Sequence, residues 1–165
     1  MNMRIAMKMT SVLLAVLPLA AWADAASDCS AAAGSYLTGV VTSGPTFQNG
    51  KPLHGVALTH THIKLLADQD KQSYDVAMDN VFAAGYDQAK HGVPAPLNTI
   101  AKGDHLSLCG QKYSDPGQIG IHWVHTNCGD TPSPQKPNGW VKKISADGSV
   151  GDNLEGSTEY CKLWS

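Results

Sequence analysis

Apolar and polar residues alternate in several short runs of the chain, and each run predicts a β-strand with one buried face. In the third run, Tyr74, Val76 and Met78 fall on the same face. Glycine, proline and polar turn residues separate the runs, as expected for strands joined by turns. The five predicted strands cover residues 35–42, 59–66, 73–78, 105–110 and 119–127, residues 139–144 are predicted to form a short sixth strand or an ordered tail, and residues 47–55 are predicted to form a loop.

The segment after the third strand has helical rather than strand spacing. Val81, Phe82 and Tyr86 recur at intervals close to one helical turn. Two prolines follow shortly afterwards and prevent the helix from continuing. A short helix is therefore predicted over residues 80–89.

Five main strands with one short helix between the third and fourth predict a mainly β protein, a small closed OB-like β-barrel of about five strands. A two-sheet sandwich is the alternative. The 16 glycines and 9 prolines of the chain also favour a turn-rich β protein over a helical bundle. Residues 24–165 are long enough to bury the core of one domain.

The first residues predict a secretory signal peptide over residues 1–23. Arg4 and Lys8 are basic, residues 11–20 are apolar, and Ala21-Trp22-Ala23 has the small-x-small pattern of a cleavage site. The apolar run is too short for a membrane-spanning helix, which needs about 20 residues. We therefore expect a secreted or periplasmic protein with no membrane span.

Charge limits the class of partner. The formal net charge is only −2, so the chain lacks the strong positive field of a general nucleic-acid binder. A small ligand or an envelope component is the partner that remains, and the sequence does not determine the oligomeric state.

Four cysteines in an exported protein predict two disulfides, for which three pairings are possible. We expect Cys109 to pair with Cys128, joining neighbouring strands, and Cys29 to pair with Cys161, joining the two ends of the domain. A cysteine zinc site is the alternative, but the chain has no C-x-x-C pair.

Histidines supply the candidate chemistry. His60 and His62 lie two residues apart on a predicted strand and so share a face, whereas His122 and His125 lie three apart and point to opposite faces of an ideal strand. Only a bulge or the end of the strand would bring the second pair to one centre. A zinc site built from His60, His62, His122 and His125 is one hypothesis, with Asp79 or Asp130 as an oxygen ligand or general base.

Residues 120–130 combine several reactive groups. We expect His122, His125 and Asp130 to be the catalytic residues if the protein is an enzyme. Trp123, Asn127 and Trp140 are candidate ligand-binding residues, because aromatic side chains at a barrel mouth stack on ligands.

Three functions are consistent with these features. The first is ligand or metal binding through the His, Trp and Asp cluster. The second is a histidine- or metal-dependent hydrolase of the phosphodiesterase or nuclease type. The third is a structural envelope protein without a site. The chain contains no phosphate-binding glycine loop, G-x-S-x-G elbow or H-E-x-x-H helix.

Several motifs in order resemble a family of small exported bacterial domains of unknown function, from His60 to Lys143. The matching segments are His60, Tyr74-Asp75-Val76-Ala77, Ile100-x-Lys102-Gly103-Asp104, Gly110, Gly120-Ile121-His122-Trp123-Val124-His125 and Gly139-Trp140-Val141-Lys142. The I-H-W-x-H block is the most specific of them. The resemblance implies an OB-like barrel and a grouping of His60, His122 and His125, and it implies no particular activity. The chain departs from the pattern at Asp79, where the family tends to have Asn, and in additional residues over 84–96.

Overall fold

The computed structural model describes residues 19–89 and 91–164. The helices are α1 (Leu19–Ala31) and α2 (Tyr86–Ala89), with short 3-10 turns at Asn80–Phe82, Leu97–Thr99 and Cys161–Trp164. The strands are β1 (Ser35–Gln48), β2 (Pro52–Leu53), β3 (Val56–Ala57), β4 (His60–Ala67), β5 (Ser73–Asp79), β6 (His105–Asp115), β7 (Gln118–His122) and β8 (Trp140–Ile144).

Five of these strands close into a barrel in the order β1, β4, β5, β7, β6. The closure depends on β1, which pairs antiparallel with β4 along one part of its length and with β6 along another. Strands β5 and β7 are parallel neighbours, and β8 adds to the free side of β6. The predicted closed five-strand barrel is confirmed.

Strand β1 is longer than predicted because the turn residues within it do not end it. Register shifts between Val41 and Thr46 form an irregularity that bends the strand, so that it pairs with β6 before the bend and with β4 on both sides of it. Gly44 lies at this bend with φ +95°, and a Cβ there would approach the backbone oxygen of His62 to 2.7 Å. The predicted loop over 47–55 also contains β2, which pairs with β3.

The core fills the barrel with aliphatic side chains contributed by alternate positions of the strands. On β5, Tyr74, Val76 and Met78 point inwards as predicted. The core also includes Leu37, Ile63, Leu65, Leu106, Leu108, Ile121, Val124 and Val141. Because these residues face inwards, the intervening positions of β4 and β5 carry the polar side chains of the outer face.

Two predicted elements are wrong in extent. The fifth strand ends at His122 rather than at residue 127, because Trp123 has φ 53°, a left-handed conformation that a strand does not continue through. The predicted helix over 80–89 is a 3-10 turn, Asn80–Phe82, followed by the single-turn α2.

The two disulfides exist, but the predicted pairing is wrong. Cys29 is bonded to Cys109 with a Cα–Cα distance of 5.6 Å, and Cys128 to Cys161 at 5.4 Å. Helix α1 ends beside β6, where Gly34 leaves room for the first bond, since a Cβ there would lie 2.4 Å from the Cys109 sulfur. Cys128 lies beyond the end of β7, in a loop that meets the C-terminal tail, and so it is not beside Cys109.

The predicted signal peptide lies almost entirely outside the described residues. Helix α1 begins at Leu19 and runs through the predicted cleavage point after Ala23. Within the residues that the structure describes, no helix is both long and apolar enough to cross a membrane.

Candidate functional site

Asp79, the last residue of β5, holds two histidines. His60 lies directly opposite it on β4, with Nε2 2.7 Å from Oδ1, and His125 approaches from the loop after β7, with Nε2 3.1 Å from Oδ2. Desolvation raises the pKa of Asp79, but the hydrogen bonds from His125 and His60 outweigh it and hold that pKa well below its ordinary value. Asp79 is therefore a carboxylate at neutral pH.

His125 is enclosed on all sides, and only 3% of its side chain is exposed. Its Nδ1 lies 2.6 Å from the carbonyl oxygen of Thr126, and its Nε2 faces Asp79. Both ring nitrogens therefore lie beside an oxygen of the protein, and these two contacts fix the position of the ring.

Aromatic rings stack on both sides of His125. Phe82 lies parallel to it at a centroid distance of 3.7 Å, and Trp164 stacks on Phe82 at 5.3 Å. Trp123 packs against the other side at 5.0 Å, tilted by 37°. These four residues form an aromatic stack that brings together the loop after β7, the 3-10 turn after β5 and the C-terminal tail.

A cavity of about 210 Å³ lies beside this stack. Its walls are largely apolar, and Asp79, Asp130 and Lys136 bring charge to it. The complete lining is Leu58, Thr59, Asp79, Val81, Phe82, Trp123, His125, Thr126, Asn127, Cys128, Asp130, Lys136 and Trp164. This combination of apolar walls with a few polar groups is typical of a small-ligand site.

The cavity walls are fixed by covalent and backbone contacts. The Cys128–Cys161 bond joins the loop to the tail just before Trp164, and the Ser157 N–H donates to the Phe82 carbonyl at 2.9 Å. Asn127 is buried, and its side chain donates to the Asp130 carbonyl at 2.8 Å. The cavity is therefore largely preformed.

The tail also buries an acidic residue close enough to feel the charge of Asp79, Glu155, which the sequence patterns did not predict. Its side chain is fully buried, and neither carboxyl oxygen has a hydrogen-bond partner among the described residues. Desolvation raises the pKa of Glu155 well above its ordinary value, and the negative charge of Asp79 raises it further. Burial therefore favours the neutral form of Glu155 over its carboxylate. A lone glutamate in a polar tail gives no sequence signal of such burial.

The other predicted ligands lie on the outer face of the sheet. The Nδ1–H of His62 donates to the Asp75 carboxylate at 2.8 Å rather than to Asp79. His122 packs edge-on against Tyr113 at a centroid distance of 5.2 Å, and no hydrogen-bond partner is found for it within residues 19–89 and 91–164. Burial lowers the pKa of His122, and the charge of Asp79 opposes that effect only in part.

The remaining predicted residues divide between the cavity and other places. Asp130 lines the cavity with a side chain that is 60% exposed, and its nearest cation is Lys136 at 3.9 Å. Trp140 is outside the cavity, where its indole N–H donates to Ser107 at 3.3 Å. Phe82 and Trp164 were not predicted as site residues, because only the fold brings them to His125.

No group of three or more His, Cys, Asp or Glu side chains within the described ranges is placed to hold a metal ion. The zinc site therefore stays a prediction, and the geometry of the described residues gives it no further support. No protein-family model matches the chain, and no curated protein matches its sequence. The resemblance to the family of small exported bacterial domains likewise stays a prediction.

Proposed function

We propose that the protein binds a small organic ligand in the cavity beside the aromatic stack. The observation that carries this proposal is a preformed cavity of about 210 Å³ with two tryptophans and a phenylalanine in its walls and a carboxylate among them. A rigid aromatic wall loses little conformational entropy when a ligand packs on it.

The charges of the cavity indicate the ligand class. Asp79 is a carboxylate whose oxygens each accept one histidine contact and keep a lone pair for another donor. Its side chain is 30% exposed, so a ligand can reach it. A ligand with a flat apolar body and one amine or hydroxyl donor fits this arrangement, whereas an aromatic acid would be repelled.

Matched pairs of aromatic amines and acids test the proposal. Benzylamine and tryptamine are titrated into the protein beside benzoate and indole-acetate, with tryptophan fluorescence and nuclear magnetic resonance as readouts. We expect the amines to perturb Trp123 and Trp164 and the acids to bind more weakly. Trp164→Ala should weaken binding, and Trp140→Ala, a tryptophan outside the cavity, should not. Failure of all four compounds to perturb the cavity would contradict the proposal and favour the structural role.

A histidine-dependent hydrolase of the phosphodiesterase type is the second candidate, and His122 is the observation that favours it. Its ring lacks a hydrogen-bond partner among the described residues, and its lowered pKa keeps it neutral and able to accept a proton. The predicted catalytic residues His125 and Asp130 line the separate cavity, so His122 would be the base of this activity without them.

The activity is tested with a generic phosphodiester substrate. Turnover should disappear in a folded His122→Ala variant and persist in His105→Ala, a histidine elsewhere on the barrel that pairs with Asp68. Equal turnover in both variants would assign the activity to a contaminant. Elemental analysis of protein purified without a metal-affinity tag tests the zinc prediction in the same preparation.

A further inference from the structure

A second candidate surface lies on the outer face of strands β5, β7 and β6, around Tyr113. Tyr113 pairs with Gly120 across β6 and β7, and its ring lies over that glycine. A Cβ at position 120 would come within 2.3 to 2.5 Å of the ring. The absence of a side chain at Gly120 is therefore what allows the ring to rest on the sheet.

Hydrogen bonds fix the position of this ring. The Tyr113 hydroxyl donates to Asp75 at 3.0 Å and accepts from the Gln118 amide at 3.1 Å. The His122 ring stands beside it at an interplanar angle of 66°. Tyr113 thus forms a floor and His122 a wall, and a depression of about 370 Å³ lies between them, with Ala77 and Asp115 completing its lining.

Two more depressions continue the surface along the barrel. They have volumes of about 380 and 540 Å³, and Lys64 and Gln118 line both. Most of the lining side chains carry hydroxyl, amide or other polar groups: Ser43, Thr46, Gln48, His62, Lys64, Gln72, Ser73, Asp75, Ser114, Asp115 and Gln118. We call these three depressions together the Tyr113 groove.

The central charges of the Tyr113 groove are paired within the protein. Asp75, only 6% exposed, accepts from Lys64 at 3.0 Å and contacts His62 at 2.8 Å as well as Tyr113. Desolvation raises the pKa of Asp75, but these contacts outweigh it and lower that pKa overall. Lys64 and Asp75 neutralise each other, and Asp115 adds a negative charge to two of the depressions, so the groove favours a neutral ligand over a phosphate-bearing one.

We propose that the Tyr113 groove binds a neutral carbohydrate chain. The C–H face of one sugar ring would pack on Tyr113 against His122, and neighbouring sugars would extend over the amide and hydroxyl groups beside Lys64 and Gln118. Amides and hydroxyls both donate and accept hydrogen bonds, as sugar hydroxyls do. This site is separate from the cavity beside the aromatic stack and does not depend on a ligand there.

Cellotetraose, chitotetraose and maltotetraose are the probes, titrated into the full chain and followed by nuclear magnetic resonance and calorimetry. At least one should shift the resonances of Tyr113 and His122. Tyr113→Ala and Gly120→Ala should each weaken binding by about tenfold or more, equivalent to about 1.4 kcal/mol. Tyr113→Phe keeps the ring and should bind within about threefold of the unmodified protein.

Lys112→Ala, next to Tyr113 but on the other side of the strand, is the matched control and should bind normally, as should Trp164→Ala in the cavity. Melting temperatures of all variants separate lost binding from lost folding, and Tyr113→Ala, a surface truncation, keeps the test usable if Gly120→Ala does not fold. The proposal is overturned if none of the three sugars perturbs Tyr113, or if single-stranded oligothymidylate displaces them from the groove.

Discussion

At the scale of single residues, the arrangement of Asp79 between two histidines has a measurable consequence. The hydrogen bond that His60 donates to Asp79 has the largest effect on His60 and raises its pKa, outweighing the effect of partial burial. A histidine whose pKa is raised on folding stabilises the protein fully below its unfolded pKa of about 6.5. That contribution is lost as the pH rises through the folded pKa.

Asp79→Asn should therefore destabilise the protein most at mildly acidic pH. We expect a loss of about 1 to 3 kcal/mol near pH 5.5, where His60 is protonated, and a smaller loss above the raised pKa. Urea denaturation across this range and a histidine titration by nuclear magnetic resonance measure both effects. Asp68→Asn, which removes the partner of His105, should leave the titration of His60 unchanged. An unchanged His60 titration in Asp79→Asn would contradict the assignment.

The buried Glu155 carboxyl gives a second test, because the part of the chain that the structure describes offers it no hydrogen-bond partner. The pKa of Glu155 is raised in the folded protein. Its contribution to the free energy of unfolding is therefore fully present below the unfolded pKa of about 4.5, and it is lost as the pH rises towards the folded pKa. Glu155→Gln cannot ionise and should lose less stability than the unmodified protein between pH 4.5 and 8. Parallel pH profiles of the two proteins would show that Glu155 is ionised or solvated.

Sequence patterns predicted some residues of this site, but they did not predict how the fold brings those residues together. His60 and Asp79 lie near the ends of two strands that were predicted adequately, so their proximity follows from an antiparallel hairpin. The position of His125 does not follow from its spacing, because it depends on the left-handed conformation of Trp123. Bulky residues rarely adopt that conformation, and no pattern in the local sequence predicts it.

At the scale of elements, the loop after β7 and the C-terminal tail are joined and form the site together. The tail contributes Trp164 and Glu155, and the Cys128–Cys161 bond holds it to the loop. The predicted pairing of Cys109 with Cys128 failed because it assumed that the fifth strand extends to residue 127. Once β7 ends at His122, Cys128 is free to meet the tail. The helix is shorter than predicted for a related reason: Phe82 is buried against His125 by the tertiary fold rather than by helical packing.

Replacing Cys128 and Cys161 together by alanine should release the tail without opening the barrel. In the chain-entropy relation a bond spanning 33 residues contributes about 4 kcal/mol, an upper value because the unfolded chain retains structure. We expect lower stability, greater solvent exposure of Trp164 by fluorescence, and unchanged far-ultraviolet circular dichroism. The Cys29–Cys109 bond, with its longer separation of 80 residues, remains as the internal reference. Unchanged Trp164 fluorescence would show that the aromatic stack, rather than the disulfide, holds the tail.

At the scale of the whole molecule, alternation predicted the strands, and the short helix after the third strand favoured a barrel over a sandwich. The inward positions of β4, β5 and β6 follow a two-residue period, and a closed sheet is the arrangement that buries all of them in a chain of this length. Closure itself depends on the bend in β1, which lets one strand pair with both β4 and β6. The glycine and proline that were expected to end this strand are part of that bend.

Both disulfides and the predicted signal peptide lead to a prediction about export. When the full chain is expressed in a bacterium with an oxidising periplasm, we expect a mature protein that begins at Asp24, because the cleavage pattern ends at Ala23. Cys29 would remain in the mature chain, so both disulfides form and no thiol reacts with an alkylating reagent. Mass spectrometry of the periplasmic fraction measures the first residue and the thiol count together.

A chain lacking residues 2–23 should stay in the cytoplasm with reactive thiols and unfold at a lower temperature. Recovery of the full-length chain from the cytoplasm with intact disulfides would contradict export as the source of its oxidation.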